Sequence, residues 1–369
     1  MNILIAAGSR GALSQLRPEF ESFIAMAERG HKLTIVIKPD SVYVPRLREL
    51  GIRMLDCYPD KKIDLKSIRA LRAELRRTHY DIIYATTSKT IPNAAFAAIG
   101  FPAKLVAYRG TTGGLHRHDP TAYMTILHPR VDGVICVSEA VRQDVLRRVW
   151  KNRKQVVTIH KGHNLEWSSK PPADLGEFGI GADDFVVICA VNARPSKGID
   201  IMLEAANDLA HLGNLHLLLV GKDTNAEPYS SLIARNRMRE RIHVAGFRNN
   251  APELIAASEV LVQPSRSGEG LPRAVMEAMG YGTPVVITDT GGGKEVVVDG
   301  VSGFVVPVED PAAISRRVEQ LYSDPELRRQ LAENGKKNLE DQYSSARTTD
   351  KYLAYFSTLA GVPGVSDPG

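Results

Sequence analysis

Ser267-Gly268-Glu269-Gly270-Leu271-Pro272-Arg273-Ala274-Val275-Met276-Glu277-Ala278-Met279 sets two glutamates, seven residues between them, across a loop and the helix it feeds. Glu269 lies among small residues, Ser265, Ser267, Gly268 and Gly270. Pro272 fits the first turn of a helix, where its missing N–H costs nothing. Ala274 to Met279 continue that helix, and Gly280, Gly282 and Pro284 stop it. The apolar run Val260–Val262 leads in, so the unit reads strand, small-residue loop, helix. One carboxylate stands at the helix entrance and the other about two turns later. Free backbone N–H groups at a helix start suit a phosphate. Ionised carboxylates beside it accept hydrogen bonds from vicinal hydroxyls. Phosphate next to hydroxyls describes a nucleotide sugar. Taken alone, the pair is equally compatible with a solvated strand-to-helix turn.

The same alternation extends in both directions. Downstream come a strand over 284–288, a turn at 291–293, a strand over 303–306, and helices over 311–322, 325–341 and 343–359. Upstream, strands over 185–191, 215–220 and 242–245 alternate with helices over 198–212, 229–237 and 252–257. Lys161–Asp184 breaks the rhythm with Gly162, Pro171, Pro172, Gly176, Gly179 and Gly181, and reads as a connection. Before it, strands over 3–7, 32–38, 80–85, 104–108, 133–138 and 156–160 alternate with helices over 15–29, 46–50, 63–78, 93–99 and 139–149. Continuous apolar strands alternating with helices mean parallel sheets covered on both faces. The expected fold is α/β: two doubly wound Rossmann-like domains facing across a cleft, the C-terminal helix crossing back to the first. The expected division is a first domain over 1–165 and a linker over 166–184. A second domain over 185–342, a helix over 343–360 and a tail over 361–369 follow.

A chain of 369 residues is too long for one ordinary core. No apolar run reaches the roughly 18–20 residues that span a bilayer, and the start, Met1 to Gly8, reads as a strand without a basic leader. The three cysteines, Cys57, Cys136 and Cys189, are scattered and read as thiols in a reducing cytosol. Charge is uneven: residues 1–170 carry 28 Lys/Arg against 15 Asp/Glu, and residues 171–369 carry 19 against 27. The basic half points to an anionic partner: nucleic acid, a membrane face or a phosphorylated acceptor. In the helix over 63–78, Ile63, Leu65, Ile68, Leu71 and Leu75 share one side. Lys62, Lys66, Arg69, Arg72, Arg76 and Arg77 fill much of the rest. That fits contact with an anionic membrane through 62–77, and equally an ordinary helix covering a sheet.

The loop Asn192-Ala193-Arg194-Pro195-Ser196-Lys197-Gly198 follows the first strand of the second half. Arg194 offers a planar fork of donors and Lys197 a compact charge, together able to neutralise a diphosphate. With Glu269-Gly270-Leu271-Pro272 and Glu277-Ala278-Met279 after Pro264-Ser265, this pattern resembles the retaining nucleotide-sugar glycosyltransferases of family 4, of GT-B fold. Leu217–Gly221 with Val244-Ala245-Gly246-Phe247 resembles the family's nucleotide-base region. Gly282-Thr283-Pro284, Gly291-Gly292-Gly293…Glu295, Asp299-Gly300…Gly303 and Cys136-Val137-Ser138-Glu139 agree as well. The resemblance is dense over about 185–310 and looser from Met1 to Gly162.

The resemblance implies roles. Arg194 and Lys197 hold the diphosphate and stabilise its departure. Backbone N–H groups at Gly270 and Leu271 support the same charge, Glu269 orients the donor sugar, Glu277 binds the ribose, and Phe247 and Gly11 belong to the donor side. No cofactor is implied beyond the nucleotide diphosphate sugar as substrate, and without an Asp-x-Asp pair a metal is not indicated. Three departures stand out. Arg194 and Lys197 are three apart, where many relatives have five. The usual cleft histidine is replaced by Tyr108-Arg109-Gly110-Thr111-Thr112-Gly113-Gly114, with His116 and His118 following; these and Arg109 are acceptor-side candidates. Arg10, in Gly8-Ser9-Arg10-Gly11, is the fourth. Gly8-x-x-Gly11 is no Gly-x-Gly-x-x-Gly, which argues against a nicotinamide site. The leading expectation is a retaining, metal-independent hexosyltransferase. It extends a glycan or lipid-linked, anionic acceptor in lipopolysaccharide or exopolysaccharide synthesis, cytoplasmic at the inner membrane face. A sugar-nucleotide epimerase of the same fold is the alternative. A nucleic-acid-binding protein lacks the interleaved aromatics that stacking needs.

Overall fold

The computed structural model describes residues 1–9, 11, 13–150 and 152–362, apart from the side chains of Ser14 and Lys154. The chain separates into two compact units, Met1–Gly162 with the chain from Ser345 onward, and His163–Ser344.

The first unit is built on β1 (Asn2–Ala6), β2 (Lys32–Val36), β3 (Arg53–Leu55), β4 (Ile82–Ala85), β5 (Lys104–Arg109), β6 (Gly133–Cys136) and β7 (Val156–Thr158). They form one parallel sheet in the order β3-β2-β1-β4-β5-β6-β7. Ile5 of β1 lies opposite Ile35 on one side and Tyr84 on the other. Helices cover both faces, so neither alternate set of side chains on β1 meets water beyond Asn2, and Ile3 to Ala6 are all apolar and buried. β3 is absent from the strands expected above. It has three residues, begins with exposed Arg53 and lies at the sheet edge, so it lacks the buried apolar run that marks its neighbours.

The helix Ser345–Ala360 belongs to this first core. Tyr352 and Phe356, four apart and so on one face, each place a ring 5.6 Å from that of Tyr84. The Tyr352 and Tyr84 hydroxyls are 3.2 Å apart, and Tyr355 donates to the Gln155 carbonyl at 2.6 Å.

The basic helix runs Leu65–Arg77, with Asp64 as N-cap accepting from the Lys66 and Ser67 amides. Its buried face is Ser67, Leu71, Glu74 and Leu75. Ile63 and Leu65, expected on the apolar side, are 42% and 63% exposed. They lie before and at the first helical position, where the sheet no longer covers the chain. Buried Glu74 replaces them inward, matched by both Arg53 guanidinium nitrogens at 2.6 and 2.7 Å and by the Tyr80 hydroxyl at 2.8 Å.

The second unit holds β8 (Phe185–Ala190), β9 (Leu215–Val220), β10 (Ile242–Gly246), β11 (Val260–Gln263), β12 (Val285–Thr288) and β13 (Phe304–Val306). The order is β10-β9-β8-β11-β12-β13, again all parallel. Residues 166–184, read from the sequence as a linker, are packed into this unit. Leu165, Ala173, Leu175 and Phe178 lie against its core, and the Ala173 amide donates to the Glu253 carbonyl at 2.9 Å. The Gly and Pro residues there shape turns on a surface rather than a free connector. In each sheet the chain runs outward on one side of the first strand and then restarts on the other. The two reversals fall at β1/β4 and β8/β11, where open parallel sheets bind ligands at the strand carboxyl ends.

Candidate active site

At the β8/β11 reversal two loops meet. Beyond β8 the chain makes a 3-10 turn, Pro195–Lys197, and Gly198 starts the helix Ile199–Asp208 in the left-handed region at φ 67°. A Cβ on Gly198 would fall 2.0 Å from the Pro264 carbonyl oxygen, so only glycine lets the loops approach this closely. The approach brings Lys197 Nζ to 2.5 Å from Glu269 Oε1. The same oxygen accepts from Gln263 Nε2 at 2.8 Å and Ser265 Oγ at 2.5 Å. Glu269 is 6% exposed, and a carboxylate so buried needs these donors to remain charged. Thr288, ending β12, fixes the loop from the other side by donating to the Ser265 carbonyl at 2.5 Å.

Arg266 joins the two loops and was not among the residues singled out in the sequence. Its guanidinium holds both Asp200 oxygens at 2.7 and 2.6 Å, Glu309 at 2.9 Å and the Pro195 carbonyl at 3.0 Å. The Arg266 amide donates to Ser196 at 2.8 Å. The guanidinium keeps the Asp200 carboxyl below the ordinary carboxylate range. Its partners are 66 and 43 positions away along the chain, so local spacing gives no signal of it.

The helix after β11 runs Arg273–Tyr281, with Pro272 as N-cap, no side-chain cap and no acid in its first turn. Its start is therefore open toward an anion. Gly282 ends it at φ 78° as expected, while Gly280 stays inside the helix, where a Cβ would fall 2.5 Å from Ser168 Oγ. Glu277 faces inward, nearly buried, with Arg273 Nε at 3.4 Å one turn earlier. Gly292 packs its backbone onto the Gly270–Leu271 loop: a Cβ there would fall 1.6 Å from the Gly270 oxygen.

The ends of β8, β9 and β10 are stitched together. The Lys222 amide donates to Asn192 Oδ1 at 2.9 Å, the Ala193 amide to the Lys222 carbonyl at 2.8 Å, and the Gly221 amide to the Gly246 carbonyl at 2.8 Å. Phe247 follows β10, 48% exposed, with Lys222 Nζ 5.3 Å from its ring centroid. Arg194 is exposed, and no described residue pairs with its guanidinium. Lys197, Glu269, Gly270 and Leu271 thus share one loop junction. Glu277 lies on the helix leaving it, Arg194 on its rim, and Phe247 two strands from β8.

The remaining candidates lie on the first unit. Gly8 donates to Thr86 Oγ1 at 3.2 Å across the β1/β4 reversal, and Gly11 has φ 144°. Arg10 lies outside the described residues. Arg109 ends β5 and turns back on its own loop, donating through Nε to the Thr111 carbonyl at 3.0 Å and through Nη2 to that of Gly113. Burial draws its pKa below the ordinary value, with Asp144 opposing. The same Asp144 accepts from the Gly113 amide at 3.0 Å. His116 and His118 are exposed, their rings stacked 5.2 Å apart. Among the described residues no group of three or more His, Cys, Asp or Glu is placed to hold a metal ion.

A model of the glycosyl transferases group 1 matches residues 173–338, and one of Glycosyltransferase Family 4 matches residues 24–167. The chain is 27% identical to the lipopolysaccharide core biosynthesis glycosyltransferase LpsE of Rhizobium meliloti, over 89% of this chain and 91% of that one. It is 24% identical to the N-acetyl-alpha-D-glucosaminyl L-malate synthase of Bacillus anthracis, over 90% and 91%. Among solved structures, Anabaena HepE in complex with UDP superposes with a TM-score of 0.80 at 20% identity, covering 97% of this chain and 100% of that one, a likeness of fold. With one of these domains matched on each of its two parallel sheets, the chain belongs to the glycosyltransferases of the family 4, group 1 type, and has their two-domain GT-B fold.

Proposed function

We propose that the chain moves a hexosyl unit from a nucleotide diphosphate sugar to a glycan or lipid-linked acceptor, with retention at the anomeric carbon. One observation carries this reading: Lys197, Gln263 and Ser265 converge on Glu269 at the β8/β11 reversal, beside an uncapped helix start. A cation, hydroxyl-accepting carboxylate and open amides within one junction match a diphosphate joined to a sugar. The structures of HepE with UDP and with UDP-glucose favour a uridine nucleotide as the first donor to try.

In this reading Arg194 and Lys197 take the diphosphate, Lys197 exchanging part of its contact with Glu269 for phosphate oxygen. Glu269 turns to the sugar hydroxyls, Glu277 to the ribose, and Phe247 offers its exposed face to the base. As the C1–O bond breaks, positive charge grows on the sugar and negative charge on the departing diphosphate. The two cations and the Gly270–Leu271 amides stabilise the latter. The acceptor hydroxyl enters from the same face, and its proton passes to the leaving phosphate. On the first domain, Gly11 belongs to the donor side, and Arg10, Arg109, His116 and His118 to the acceptor side.

The name of the Rhizobium relative favours an envelope glycan as product. No helix among the described residues is long and apolar enough to cross a membrane. Contact with the inner membrane face is assigned to 62–77, where exposed Ile63 and Leu65 stand beside exposed Lys62, Lys66, Arg69, Arg76 and Arg77. A thermal-shift series across nucleoside diphosphates and their sugars, then transfer assays with the best donor, tests the reading. Stabilisation by one nucleotide and its sugar, with slow release of nucleotide when no acceptor is present, supports a transferase. Epimerised donor would overturn it.

A further inference from the structure

The first unit holds a concave site at the amino ends of β6 and β7, at the other end of the strands from the carboxyl ends that face the β1/β4 reversal. It is a cavity of about 220 Å³ lined mainly by apolar groups, among them Tyr123, Ile126, Leu127, Val131, Val149 and Trp150. Trp150 is 65% exposed at its mouth, its ring 6.1 Å from that of Tyr123. Such an apolar ring in water is costly unless something covers it. Around it the sequence reads Arg147-Arg148-Val149-Trp150-Lys151-Asn152-Arg153-Lys154, five cations without an acid. Arg117 stands 5.8 Å from the Trp150 ring centroid, Arg147 is exposed, and Arg153 donates to the Val149 carbonyl at 2.8 Å, beside the pocket wall.

The geometry points to a binding site for an anionic membrane lipid: one acyl chain enters the cavity beside Trp150, and Arg117, Arg147 and Arg153 meet its headgroup. An indole at the boundary between apolar wall and water is the arrangement interfacial tryptophans adopt. The cations supply attraction to an anionic leaflet. Nucleic acid would use the cations and leave the apolar cavity empty. The Asp119 carboxylate caps the turn Pro120–Met124, accepting from the Thr121 amide at 2.8 Å, and so holds Tyr123 at the cavity. This inference does not rest on the donor-site reading.

The test uses the full chain carrying Trp167→Phe, which leaves Trp150 as the sole tryptophan. Vesicles of phosphatidylcholine, alone or mixed with phosphatidylglycerol, are added with ordinary or brominated acyl chains. The expected result is a blue shift of Trp150 emission and quenching by brominated chains, both with the mixed vesicles only. Leu127→Gln, on the cavity wall, weakens vesicle binding about tenfold, and Arg147→Glu does so by a similar factor. Trp150→Ala, at an exposed position, checks the loss by flotation without disturbing the core. Absence of quenching with mixed vesicles overturns the site. So does equal binding to neutral vesicles, or an equal emission shift with short duplex DNA.

Discussion

Glu269 carries three donors on a single oxygen while almost wholly removed from water. Removing the carboxylate strands Lys197, Gln263 and Ser265, whereas Glu269→Gln keeps the shape and loses the charge. Glu269→Gln should lower transfer by about 10²–10³-fold while leaving free nucleoside diphosphate binding within about threefold, measured by calorimetry and initial rates. Glu277→Ala should instead weaken that binding about tenfold. Arg266 is of another kind, since it ties the loop of Lys197 to that of Glu269 without belonging to either role. Arg266→Ala should cost about 1–2 kcal/mol of stability, its ion pairs being partly in water. Turnover should fall at least about tenfold as the two loops lose their mutual position, and Arg266→Lys should restore stability more than rate, because lysine cannot hold both Asp200 oxygens. Glu269 and Lys197 were legible because each sits in a short pattern of distinctive neighbours. Arg266 was not, because its meaning lies in partners brought to it only by the sheet.

The elements meeting at the junction are held by glycines of two kinds. At Gly198 the left-handed φ and the Pro264 oxygen 2.0 Å from a Cβ both exclude a side chain; at Gly268 φ is 79° but nothing lies within 4 Å. Gly198→Ala should cost about 3 kcal/mol and the donor site, and Gly268→Ala about 1 kcal/mol, the backbone term alone. Chemical denaturation with donor-binding measurements separates them. A second device lies between β9 and β10, where His216 Nδ1 and His243 Nε2 are 2.8 Å apart and Asp184 is 3.5 Å from the far side of His216. Burial lowers both histidine pKa values; at His243 the neighbouring His216 adds to the lowering, and Asp184 opposes it at both. The unfolded chain therefore binds these protons more tightly than the folded one. Stability should be complete above the ordinary histidine value and fall as pH drops through about 6.5 and below. Melting temperature followed from about pH 7.5 to 5 should decline more steeply for the natural chain than for His216→Asn/His243→Gln. The strands were legible from their buried apolar runs, β3 excepted. The helix face at Ile63 and Leu65 was misread because periodicity continues past the point where the sheet stops covering it.

Over the whole molecule, the chain leaves the first unit after Gly162 and returns to it at Ser345. Tyr352 and Phe356 complete a core whose other buried rings, Phe20, Phe23, Tyr43 and Tyr84, come from the first quarter of the chain. Phe356→Ala should remove about 3–5 kcal/mol from the first unit. It should lower the first thermal transition while nucleotide still raises the second, as seen by calorimetry with and without ligand. The repeated α/β rhythm made the two sheets legible. The place of 166–184 was not, because its glycines and prolines describe turns equally well on a surface or in a free linker. The loop proposed for the acceptor was legible only as a run of unusual residues, since Arg109 spends its guanidinium on the Thr111 and Gly113 carbonyls.

Everything proposed for the chemistry depends on the β8/β11 junction holding the donor. The direct measurement is calorimetric binding of uridine diphosphate and its glucose conjugate to the natural chain, Lys197→Ala, Glu277→Ala and Phe356→Ala. Saturable binding by the natural chain and Phe356→Ala, weakened at least about tenfold in the other two, is the predicted result. Unchanged affinity in folded Lys197→Ala and Glu277→Ala would contradict the account and move the donor elsewhere.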